Sequence, residues 1–141
     1  MSATIMAGVD LAAGLTLAAA FGGMTFFSAV MAPLIFVKLP GETAGRFIRE
    51  VFPWYYMTMG GVTALSALLL ALGGPARLNA AMLACLVTLG FWFARQDLMP
   101  RINHARDHKQ PDRFKWLHRL SVWVNGAQWL LLAAALVLVL G

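Results

Sequence analysis

His118, Ser121, Asn125 and Gln128 recur at steps of three, four and three, which sets four polar side chains on one face of a helix in an apolar segment. Polar groups in hydrocarbon are costly unless partnered, so this stripe must face other helices or a wet cavity. Two chemistries fit. In one, the four groups hydrogen-bond to neighbouring helices and hold a bundle together. In the other, His118 is a ligand or proton carrier at the mouth of a cavity, with Ser121, Asn125 and Gln128 as donors and acceptors deeper inside. Arg95 and Arg119 lie at the same end and supply positive charge for an anionic group. A membrane-edge arginine either extends to lipid phosphate or pairs with a substrate anion inside the bundle.

Met24 and Met31 share a helix face with Ser28. Their thioethers suit a soft metal, with His118 as the partner ligand, and they equally suit core packing. His104 and His108 are four apart, a chelating spacing on a helix, yet no further ligand stands obviously nearby and solvated loop histidines account for them. There is no Ser-His-Asp arrangement and no phosphate-cradling glycine loop, and all six acids lie outside the apolar blocks. The residues therefore lean away from an enzyme.

The elements that must position these groups are four uncharged blocks, residues 11–37, 51–76, 78–94 and 120–141. A helix needs about 20 apolar residues to cross a ~30 Å hydrocarbon core, so three blocks suffice and the third reaches spanning length if Arg95 and Gln96 extend to the headgroups. The expectation is one all-α domain over residues 1–141, an integral membrane four-helix bundle with spans at about 11–37, 51–74, 78–98 and 116–140. A 60% hydrophobic composition and mean hydropathy of +0.73 exclude an ordinary soluble domain. No basic region precedes the first block, which is also longer than a signal-peptide core, so it reads as a span.

Charge orients the bundle. Residues 95–125 hold ten of the 17 formal charges and all three histidines. The 38–49 and 95–119 segments carry ten of the 11 basic residues, and Arg77 is the other. This bias predicts an inner-membrane protein with both basic loops in the cytoplasm and both termini on the non-cytoplasmic side. The +5 net charge then answers to an anionic inner leaflet rather than to nucleic acid. Single Cys85 forbids an intrachain disulfide. Gly14, Ala18 and Gly22 make a small-residue face on the first span, the expected seam of a homo-oligomer. Pro33 is expected to kink the first span and Pro100 to interrupt the third, while residues 41–50 read as a helical run-in to the second.

Five motifs occur in order: Ala32-Pro33-x-Ile35-Phe36, Ala44-Gly45, Phe52-Pro53-x-Tyr55-Tyr56, Met99-Pro100-x-Ile102 and Leu117-His118-x-Leu120-Ser121-x-x-x-Asn125. In them the chain resembles the transmembrane protein 205-like family of small four-helix membrane proteins. That resemblance implies binding or passage of small organic or metal-containing compounds. A weaker similarity, to HemJ and CopD four-helix proteins, implies haem b or copper. The histidine that HemJ-like chains carry after a Pro-Arg-Leu-Phe-like segment is missing here, where Val37, Lys38 and Leu39 follow Phe36. Three functions stay open: a protein that binds or passes a small amphipathic or anionic molecule through an intrabundle cavity, a haem- or copper-binding redox protein, and a scaffold bundle.

Overall fold

The apolar blocks and their flanks form four helices in the computed structural model, which describes residues 2–141. They are α1 (Ala3–Lys38), α2 (Gly41–Leu72), α3 (Pro75–Asp107) and α4 (Pro111–Leu140), each long and apolar enough to cross a membrane. The chain is thus an all-helical multi-pass membrane protein. Short connections make sequential helices antiparallel neighbours. α1 packs on α2, α2 on α3, α3 on α4 and α4 back on α1, closing a four-membered ring. Gly74, at φ +84°, makes the tight turn between α2 and α3, where Pro75 opens the next helix.

Apolar side chains fill the ring's axis. Leu17, Met24, Leu70, Phe91 and Leu132 are wholly or almost wholly buried, with Ala13, Ala20 and Ala84 between them allowing close approach. Large residues on the outer faces, Leu15, Leu68, Trp92 and Leu130 among them, are exposed as a lipid-facing surface requires. The inward face of α1 is therefore the Ala13, Leu17, Ala20, Met24 line, and Ala18 and Gly22 point outward.

Pro33 and Pro100 do not end their helices. Each follows a stretch of π-helix, Phe27–Met31 in α1 and Ala94–Leu98 in α3. The N–H of Ala32 reaches back five residues to the Phe27 carbonyl, and that of Met99 to the Ala94 carbonyl. One extra residue per turn accommodates a proline that lacks an N–H and crowds the preceding turn, so the helix continues without breaking. α3 thus continues through Arg95 to Asp107, which resolves the short third block: the span has polar residues at its end and remains helical. Residues 41–50 are likewise the first turns of α2, continuous with the span.

In α1 the extra residue has a second result. The π stretch buries no residue and the following Ala32–Lys38 turn buries Ile35 alone, so this end of α1 parts from the bundle. A groove opens there against α2.

Candidate functional site

Two groups of the polar stripe, Asn125 and Gln128, serve helix–helix contacts. Gln128 is buried, and its Nε2 donates to the Val87 carbonyl of α3 at 3.0 Å. Gly90 makes this possible, because a Cβ there would lie 2.8 Å from that nitrogen. Asn125 Nδ2 donates to Ser28 Oγ of α1 at 3.1 Å, and one turn on Trp129 Nε1 donates to Thr25 Oγ1 at 2.8 Å. Ser66 joins α2 to Thr16 of α1 at 2.8 Å, and Thr88 joins α3 to Thr63 of α2 at 2.9 Å. Every neighbouring pair in the ring therefore shares a side-chain hydrogen bond, each worth about 0.6 kcal/mol in a membrane. Ser121 is different: its hydroxyl donates to the His118 carbonyl on its own helix.

Charges clamp the two ends. At the end bearing the termini, Arg77 pairs with Asp10 at 3.2 Å and donates to the Leu138 and Val139 carbonyls. A cation there also complements the negative end of the α4 dipole. At the basic end, Arg49 makes a two-pronged pair with Asp107, at 2.9 and 3.3 Å. Asp107 lies well past the apolar part of α3, and the hydrogen bond from Arg49 holds its carboxyl below the ordinary carboxylate range. The Arg106 guanidinium lies where a side chain at buried Gly45 would have to sit.

His118 and Arg119 are exposed at this end, and the His118 ring stacks on Phe114 at 5.9 Å. The Asn125–Ser28 and Trp129–Thr25 bonds set the register of α4 against α1, which puts Met24 opposite Trp129 and about 17 Å along the axis from His118. Met24 is sealed in the core, and half-buried Met31 lies about one turn from the level of His118. The structure does not bring His118 and Met24 together. His104 and His108 are exposed and stacked 3.9 Å apart, and among the described residues no three His, Cys, Asp or Glu side chains cluster as a metal site.

Arg95 stands apart from the rest. It sits in the π stretch of α3, and the Thr63–Thr88 contact places it level with Tyr56, inside the apolar block of α2. Its Nε is buried without a partner, and it makes no hydrogen bond or ion pair among the described residues. Neighbouring Asp97 turns instead to Arg101, at 2.9 Å.

A surface depression of about 500 Å³, more open than enclosed, lies along α2 beside the π stretch of α1. Phe27 of the α1 π stretch forms one wall, and Phe47, Glu50, Trp54, Tyr55 and Thr58 of α2 form the other. Tyr55 stacks on Phe27 at 4.4 Å and meets Phe91 edge-on at 6.1 Å, which ties the groove floor to the core. The Tyr55 hydroxyl is buried and has no hydrogen-bond partner. These residues recur every three to four positions along one face of α2, a periodicity present in the sequence. Sequence reasoning missed them as a site because an interfacial aromatic belt accounts for the same composition.

No curated protein and no solved structure matches this chain. One family does, over residues 15–111, a range holding both the α1–α2 groove and Arg95 and stopping where α4 begins. The matched part exceeds half the chain, and the protein belongs to the family described as Domain of unknown function (DUF4149), here a four-helix membrane protein.

Proposed function

We propose that this protein is a non-enzymatic component of the inner membrane that binds a small amphipathic compound, with its basic end in the cytoplasm. The observation that carries the reading is the α1–α2 groove. It is of ligand size, largely apolar and aromatic, and open sideways, whereas close-packed side chains fill the bundle axis. An amphiphile already dissolved in the bilayer would enter laterally, with its tail beside Phe27 and Tyr55 and its head at the level of Glu50, where the apolar block of α2 begins. The resemblance to the transmembrane protein 205-like family supports a role in binding or moving such compounds. Passage across the membrane would take a second copy, for which the outward Ala18 and Gly22 leave room.

Native mass spectrometry of protein released from dodecyl maltoside micelles tests this. Thr58→Trp puts a large side chain into the groove at an exposed position. The expected result is a bound small molecule or lipid on the wild-type chain that is lost in Thr58→Trp at an unchanged melting temperature. Identical adducts on both proteins overturn the groove as the site.

One further observation favours a separate contact for an anionic group, outside the groove. Arg95 is a cation without a partner inside the span, and such residues in membranes mark ligand or ion paths or reach for headgroup phosphate. It would hold an acidic head approaching between α2 and α3. Of the two methionines in the redox reading, Met24 lies ~17 Å along the axis from His118 and Met31 lies nearer its level.

A further inference from the structure

We infer that the α1–α2 groove selects an amphipathic monocation, a protonated lipophilic amine or a quaternary ammonium; this rests on the reading of the groove as the binding site. Its only charged lining residue is Glu50. That carboxylate has no basic partner within 4.0 Å among the described residues, although Arg46 and Arg49 lie just before it in α2. Both are engaged elsewhere: Arg46 leans to Glu42 at 3.9 Å, and Arg49 reaches across to Asp107. Among the described residues Glu50 and Asp112 are the two acidic side chains without an ion pair, and Glu50 is the one that lines the groove.

The walls reinforce that sign. Phe27, Phe47, Trp54 and Tyr55 contribute four aromatic rings, two of them stacked on each other, and an aromatic π-system attracts cations over its face. Val51 and Met59 line the remainder, offering apolar contact for a tail. A lone carboxylate, aromatic rings and apolar side chains together describe a receptor for a cationic head on an apolar body.

Tetraphenylphosphonium and tetraphenylborate have the same shape and opposite charge, so they isolate the sign. Equilibrium dialysis of each against the full-length protein in uncharged dodecyl maltoside micelles is the experiment. The expected result is one saturable phosphonium site per chain, preferred over borate by on the order of tenfold. Glu50→Gln should weaken it about fivefold or more at an unchanged melting temperature, since the side chain is exposed and has no partner to lose. Thr58→Trp should abolish it. Equal binding of both ions, lost together in Thr58→Trp, keeps the groove as the site and overturns its charge preference. Binding of either ion that survives Thr58→Trp overturns the groove itself. Ammonium lipids present the same head chemistry, and a second arm adds phosphatidylcholine to the micelles. Retained phosphonium binding supports a free amphiphile, and stoichiometric displacement by the lipid overturns that in favour of a headgroup occupant.

Discussion

Gly90→Ala tests whether α3 and α4 meet as closely as the Gln128 contact requires. The added Cβ would stand 2.8 Å from Gln128 Nε2, 3.1 Å from Cδ and 3.2 Å from Cγ. Ordinary contacts need about 3.5–4.0 Å, so the amide must retreat by roughly 0.7 Å. Its 3.0 Å bond to the Val87 carbonyl is then strained or lost. Losing that bond costs about 0.6–1.7 kcal/mol, and crowding a packed interface adds about 1–3 kcal/mol. Alanine's higher helix propensity returns about 1 kcal/mol. The net expectation is a destabilisation of about 1–2 kcal/mol. In a Gln128→Ala background the obstructing atoms are gone, and Gly90→Ala should be neutral or stabilising by up to about 1 kcal/mol. The coupling between the two sites is therefore about 1–3 kcal/mol. Reversible unfolding in mixed micelles with rising dodecyl sulfate, read by tryptophan fluorescence on all four proteins, measures it. Effects that add within about 0.5 kcal/mol refute the contact.

Other perturbations follow from the end clamps and from Arg95. Asp10→Asn should lower stability by about 1 kcal/mol, because it leaves the half-buried Arg77 without its carboxylate; thermal unfolding at low and high salt checks this, and the loss should persist in salt. For Asp107 the folded-state pKa is lowered by the Arg49 hydrogen bond, so its contribution is present above the ordinary carboxylate pKa and lost as pH falls through the lowered value. The wild type should accordingly be more stable than Asp107→Asn near pH 7, and the gap should close in acid. Arg95→Met should leave melting unchanged or raised by about 1 kcal/mol, since an unpartnered charge is removed from the span, while weakening the retention of anionic lipid seen by native mass spectrometry.

Much of this fold is visible in composition and period. Four blocks of spanning length, the Gly73-Gly74-Pro75 turn and the helical run-in at residues 41–50 correspond to real elements because length, hydrophobicity and turn chemistry act locally. Pro100 was expected to interrupt the third span, and the π stretch at Ala94–Leu98 carries the helix past it instead. Whether a proline ends a helix or is absorbed depends on packing around the preceding turn, and Leu98 and Ala105 are buried in a second small core with Leu117. The polar stripe on α4 was legible as a stripe, and its partners were not. Asn125 and Gln128 find Ser28 and the Val87 carbonyl, far away in sequence, whereas His118 at the same period stands outside the bundle. The groove was hidden for another reason: its α2 face shows in the sequence, but the π stretch at Phe27–Met31 that flanks it does not.

The most direct test of the groove as the binding site is photolabelling. A long-chain alkylamine carrying a diazirine would be irradiated with the protein in micelles and the labelled peptides mapped by mass spectrometry. Labels concentrated between Phe47 and Met59 on α2 and around Phe27 on α1, and suppressed in Thr58→Trp, are the predicted result. Labels concentrated between His118 and Gln128, or spread evenly over all lipid-facing surfaces, contradict it.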